Sequence, residues 1–138
     1  MAAVRQSPGP YCFVAEAAFI YLTEPEVKAA LAQIAANFPR ISIAFDTATL
    51  KAVSHENKDH ARRNLEARFA WACENPREIE RWKIGLRLVE SRTVANIPDS
   101  LRRRLSLPMR AGFRVFARLF PKLTKAYQLN LFAGQSEA

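Results

Sequence analysis

The feature that most constrains this chain is a helix with an explicit start signal, set between two short apolar runs. Thr23 stands three residues before Glu26, the spacing of a capping box, and Pro25 falls in the first turn, where its missing N–H costs nothing. Val27, Leu31, Ile34 and Phe38 then recur on one helical face, and Pro39 closes the helix. Before it lies Tyr11-Cys12-Phe13-Val14-Ala15, an unbroken apolar run rich in β formers, which predicts a strand buried on both faces. After it lies Ile41-Ser42-Ile43-Ala44-Phe45-Asp46, which alternates large and small as a strand does. Strand, helix and strand with so few linking residues make a βαβ unit with two parallel strands.

The remainder continues the alternation. Residues 54–70 predict a second helix, with Ser54 as its cap and Ala61, Leu65, Phe69 and Ala72 on one face. Asn75-Pro76-Arg77-Glu78 carries a cap, a first-turn proline and a capping-box carboxylate, so a short helix starts there, with Ile79 and Trp82 inward and Gly85 as its stop. Residues 86–94 predict a third strand. Residues 99–120 predict helix, broken at Pro108, and residues 127–132 predict a last strand. The Pro- and Gly-bearing start (1–10) is loop and 133–138 is tail. The order β-α-β-α-α-β-α-α-β belongs to the α/β class, with a small sheet of about four strands and helical layers. At 138 residues this is one domain, 1–138.

Composition narrows the function classes. With 49% hydrophobic and 25% charged residues, the chain has the apolar content to fold, so disordered classes are excluded. The two cysteines, Cys12 and Cys73, make at most one bridge; free thiols and a cytoplasmic location are expected. No apolar stretch of about 18 residues predicts a membrane span. The run from Tyr11 to Leu22 is interrupted by Glu16 and followed by Glu24 and Glu26, which argues against a signal peptide. The net charge is +8, but residues 1–99 hold 13 basic and 12 acidic side chains, whereas residues 100–138 hold 8 and 1. The basicity is thus local to the last third.

Chemistry is sought at the carboxyl ends of parallel strands, where open α/β sheets bind ligands. Glu16 ends the first strand and Asp46, followed by Thr47, ends the second, so two carboxylates reach one rim and fit a ligand that offers a cation or hydroxyls. Helix capping competes as an explanation for Asp46, with Thr47 and Thr49 as further candidates for the cap, but not for Glu16, whose helix is capped at Thr23. His55 and His60 diverge by roughly 140° around a helix, so no metal site is expected. No P-loop, G-x-S-x-G or H-E-x-x-H motif occurs. Arg102, Arg103 and Arg104 form a run, and Arg110, Arg114 and Arg118 repeat beside Phe113, Phe116, Ala117 and Phe120. The expected arrangement buries Phe113, Phe116 and Phe120 against the domain and leaves the arginines in solvent. The alternative is an amphipathic basic helix for a membrane or nucleic acid.

Taken together, the segments resemble the leucine carboxyl methyltransferase-like O-methyltransferases, class I enzymes that include those of polyketide biosynthesis. Phe13-Val-Ala-Glu16-Ala17-Ala-Phe-Ile-Tyr21-Leu is similar to that family's "v-A-E-G-v-l-m-Y-L" strand, and Asn37-Phe38-Pro39 to the end of its next helix. Ile43-Ala44-Phe45-Asp46-Thr47 resembles the following strand. Phe69-Ala70-Trp71, Asn75 to Glu80 and Gly85-Leu86 resemble an "F-x-W…p-r-e-l-e…G-l" block, and Ala126 to Asn130 the final strand. The resemblance implies the C-terminal portion of a doubly wound, mostly parallel methyltransferase sheet, from its fourth strand onward, with a helical cap at about 99–120.

It further implies S-adenosylmethionine as cofactor, with Glu16, Ala17 and Tyr21 on the cofactor side, Asp46 and Thr47 on the substrate side, and a small-molecule methyl acceptor. Ala17 replaces the family's glycine, where a methyl group crowds close backbone approach. The family's G-x-G-x-D-T-R cofactor loop is absent from the sequence, so a truncated copy that is inactive by itself and binds cofactor weakly is expected. In the family order 3-2-1-4-5-7-6 the strand beside Tyr11–Ala15 is also absent. That leaves an open edge, with Phe13 and Ile20 partly wet and a homodimer through the first strand as the expected association. No nucleic-acid or membrane partner is expected on this reading. The alternatives are a non-catalytic module pairing through the open edge, and a basic membrane- or nucleic-acid-binding module.

Overall fold

The computed structural model describes residues 9–38, 40–93, 96, 98, 100 and 103–134, without the side chains of 122 and 123. Residues 1–8, the helix-closing Pro39, the strand end at Val94, residues 101 and 102 of the basic run, and the tail from 135 lie outside the described residues. The elements are β1 (Tyr11–Ala15), α1 (Glu24–Asn37), β2 (Ile41–Ala48), α2 (Leu50–Arg62), β3 (Leu86–Thr93), α3 (Leu107–Leu119), α4 (Pro121–Thr124) and β4 (Tyr127–Gly134). A 3₁₀ turn at Phe19–Tyr21 follows β1, and a 3₁₀ helix at Pro76–Trp82 precedes β3.

The sheet order is β1-β2-β4-β3. β1 and β2 are parallel, with Tyr11 opposite Ile41 and Ala15 opposite Phe45, as the βαβ reading predicts. β4 inserts antiparallel between β2 and β3, so the four-strand sheet is mixed. This α/β arrangement is consistent with a methyltransferase-like fold.

Local chemistry explains the starts. The Glu26 carboxylate accepts from both the N–H (2.8 Å) and the hydroxyl (2.7 Å) of Thr23, and these bonds, the backbone one first, hold its pKa below the usual carboxylate value. The Asn75 side chain accepts from Arg77 N (3.1 Å) at the head of the 3₁₀ helix. That helix ends at Lys83 in the left-handed region (φ 54), two residues before the expected stop at Gly85 (φ 76). α2 corrects the predicted 54–70. It starts at Leu50 with Thr49 as cap, whose hydroxyl accepts from Ala52 N (3.3 Å), and ends at Arg62. Beyond it, Asn64 turns left-handed (φ 55) and the chain straightens. The Asn57 amide grips both backbone groups of Phe69 at 2.8 Å, drawing 65–70 out of the helix.

The core lies on one face of the sheet. Ile41, Ile43 and Phe45 of β2 and Phe132 of β4 meet Val27 and Leu31 of α1, Trp71 and Ile79. Phe45 and Phe132 stack with centroids 5.1 Å apart and planes 9° apart. Asn130 is fully buried in this face and is satisfied there, donating to Thr47 Oγ1 (3.0 Å) and accepting from Ser91 Oγ (2.7 Å). The opposite face is less covered among the described residues, although Ala48 at the end of β2 is buried there. β1 was expected to be buried on both sides, but it alternates: Tyr11, Phe13 and Ala15 face the core while Cys12 and Val14 face solvent, Val14 at 73%. Its apolar run lacks a covering layer on the second face among the described residues. Phe13 is half-buried as expected. Ile20 is not wet: at 3% exposure it is tucked beneath α2 beside Ala48, Ala52 and Val53.

The larger correction concerns α3. Pro108 does not break a helix but sits in the first turn of one. No residue of α3 is buried: Phe113 is half-buried, Phe116 is 40% exposed and Phe120, just past its end, 48%. Of the three arginines expected in solvent, Arg114 and Arg118 are there. Arg110 is half-buried and bonds to the carbonyls of Leu105 (2.9 Å) and Arg103. Helical spacing reports an apolar face, not the surface that covers it.

Candidate functional site

The parallel pairing of β1 with β2 brings their carboxyl ends level, so Glu16 and Asp46 stand side by side on one rim. The chain leaves β1 through a left-handed residue: Ala17 has φ +50. That conformation costs an L-residue roughly 1–2 kcal/mol, which glycine avoids. It aims the Ala17 N–H at Asp46 Oδ1, 2.7 Å away. Asp46 is thereby occupied in holding the β1 exit. The Glu16 carboxylate makes no hydrogen bond or ion pair among the described residues and is exposed.

The next residues form the floor and wall. Phe19 and Ile20 anchor the 3₁₀ turn in the core, and Phe19 meets Phe45 edge-on at 5.2 Å. The Ile20 carbonyl accepts from Ala70 N (2.7 Å) and Trp71 N (3.2 Å). Tyr21 projects outward, 45% exposed, and rests edge-on against Phe69 at 5.1 Å, which leans on His60 at 5.2 Å. Phe69 is held in turn by Asn57, so the aromatic wall is anchored on α2. His60 Nδ1 lies 3.0 Å from the Ala67 carbonyl, and His55 stands exposed on the same helix. Among the described residues no group of three or more His, Cys, Asp or Glu gathers as metal ligands would.

Thr47 lies on the opposite face of the sheet from Asp46, as the two-residue strand period requires. It is fully buried and its hydroxyl is taken by Asn130. Tyr127 and Glu56, not singled out from sequence, join the rim instead. Tyr127 opens β4 opposite Ala48, so the antiparallel register brings it alongside the end of β2. Burial, then the Glu56 charge and hydrogen bond, then Asp46, raise its phenol pKa and keep it protonated. Only the β2–β4 pairing reveals this neighbour; no local motif in the sequence does. The rim therefore offers an unengaged carboxylate, a phenol under the influence of the Glu56 and Asp46 carboxylates, and an aromatic wall, an arrangement suited to a ligand ending in an ammonium group.

No protein-family model and no curated protein matches this chain. Among solved structures, the chain is similar to a DUF574 family protein from Streptomyces avermitilis, with TM-score 0.55 and 15% sequence identity over 93% of this chain. It spans 45% of that protein's length. At this identity the likeness is one of fold alone, an α/β arrangement around a mixed sheet.

Proposed function

We propose that this chain forms the second half of an S-adenosylmethionine-dependent O-methyltransferase sheet, with Glu16 receiving the ammonium of the cofactor's methionine end. The observation that carries the reading is the left-handed backbone at Ala17. The A-E-G motif resembled here has glycine at that position, and a positive φ is the physical reason for one. The residues present fit one end of the cofactor: Glu16 for the ammonium, the exposed Tyr21 ring on the turn that follows, and Asp46 holding the exit of β1. The cofactor supplies an electrophilic methyl group; this chain's part is to orient its methionine end. Methyl transfer depends on such positioning. The sequence holds no glycine-rich loop for the adenosine side.

Titration of S-adenosylmethionine into the chain tests this. Millimolar affinity, about −4 kcal/mol, is expected, weakened further in Glu16→Gln because a charge-assisted contact is lost. Micromolar affinity indifferent to Glu16→Gln would overturn the reading.

A second reading, pairing of two copies through β1, is favoured by the position of β1 at the sheet edge. Its five residues include no Lys or Pro to discourage pairing. Sedimentation should show a dimer that Val14→Lys weakens; Val14 is solvent-facing, so the fold tolerates the lysine. A monomer at all concentrations would refute it.

A further inference from the structure

We infer that α3 is an interfacial helix that lies on an anionic lipid surface. At roughly 100° per residue, most of its side chains sort into two arcs, with the exposed Leu107 of the first turn falling among the arginines. Arg110, Arg114 and Arg118 fall within about 80° of one another. Val115, Leu119, Phe116, Met109, Phe120 and Phe113 sweep about 160° of the remainder. None of these is buried in this chain, and Leu119 is 65% exposed. Phe116 and Phe120 meet at a tilt of 41° with centroids 5.4 Å apart, so the apolar arc is organised while still facing solvent.

Charge selects the occupant. Residues 100–134 carry eight Lys and Arg and no Asp or Glu. The guanidinium of Arg110 bonds to the carbonyls of Leu105 and Arg103, which folds the turn carrying Arg103 and Arg104 against the start of α3. The positive groups thus gather at one end and along one edge of the helix. A nucleic acid would satisfy these charges but leave the broad apolar arc in water. A second copy would bury the arc but oppose like charges. An anionic bilayer meets both: the aromatic and aliphatic side chains enter the headgroup–acyl boundary while the arginines lie at its rim among phosphates and carboxylates. The helix is too short to span, and no helix among the described residues is long and apolar enough to cross a membrane.

Co-sedimentation with phosphatidylcholine vesicles, with and without phosphatidylserine, tests the inference. The chain should pellet with the anionic vesicles and not with neutral ones. Binding should fall by at least about tenfold in Phe116→Ser/Leu119→Ser, and by roughly fivefold for each charge removed in Arg114→Gln/Arg118→Gln. None of these four side chains is buried, so circular dichroism and thermal melting should match the parent. Four results would overturn the inference. One is no binding to anionic vesicles at low salt. A second is binding unaffected by Phe116→Ser/Leu119→Ser, which marks mere electrostatic adsorption. A third is tighter binding to duplex DNA with the same indifference to the apolar variant. The fourth is self-association abolished by that variant without vesicle binding, which would assign the face to a second copy. None of them depends on cofactor binding at the Glu16 rim.

Discussion

Replacing Ala17 by glycine should stabilise the protein. Ala17 holds φ +50 at the exit of β1, in the left-handed region, where its Cβ crowds the following carbonyl oxygen. That crowding costs roughly 1–2 kcal/mol. Glycine removes it but enlarges the unfolded ensemble, which returns about 0.5–1 kcal/mol. The net expectation is a gain of about 0.5–1 kcal/mol. For a domain between the 100- and 200-residue ranges this raises Tm by roughly 2–5 °C. Urea unfolding followed by tryptophan fluorescence reads the change in midpoint at unchanged slope. The Ala17 N–H to Asp46 bond at 2.7 Å gives a second handle. Asp46→Ala removes the acceptor that fixes the turn, so the gain from Ala17→Gly should shrink in that background, where the turn can relax on its own. An Ala17→Gly variant that is equally stable or less stable would show that the left-handed turn is not strained, and would remove the physical argument linking this position to a glycine-bearing motif.

Three other outcomes follow from the packing. Phe45→Ala, at a fully buried ring stacked on Phe132, should cost about 3–5 kcal/mol, whereas Phe116→Ala on the exposed arc of α3 should cost less than about 1 kcal/mol; chemical denaturation separates the two. Cys12 is exposed and Cys73 buried, so a thiol reagent should label Cys12 at once and Cys73 only on unfolding. Burial first, and then the Glu78 charge, push the Cys73 thiol from 9.0 up to about 11. Because the folded pKa is the higher one, its contribution is fully present below pH 9 and is lost as pH rises through about 11. The loss approaches about 2–3 kcal/mol, and Cys73→Ala should flatten that part of the stability profile.

Signals carried by a few adjacent residues were legible in the sequence. The Thr23–Glu26 box, the Asn75-Pro76 start and the parallel β1–β2 unit stand where spacing puts them, because each is decided by local hydrogen bonding or by a short connection. What depended on distant partners was not legible. The helix-compatible stretch after Arg62 is pulled straight by Asn57 of the preceding helix and by the Ile20 carbonyl, groups outside the stretch itself. The apolar run of β1 reads as doubly buried, yet Val14 faces solvent, since a sequence states what a face wants and not whether a layer covers it. The same confusion placed the α3 phenylalanines in the core. At the rim, Glu16 and Asp46 were found from strand ends alone, whereas Tyr127 and Glu56 needed the β2–β4 register, and the burial of Thr47 needed the strand period counted from Asp46.

We propose that the rim at Glu16 meets the methionine end of S-adenosylmethionine. Amide chemical-shift mapping of the labelled chain, with cofactor added at millimolar concentration, tests it most directly. Fast-exchange shifts confined to Glu16–Tyr21 and the adjoining Phe69, and lost in Glu16→Gln, are predicted. Shifts elsewhere on the sheet, or none at that rim, would contradict it.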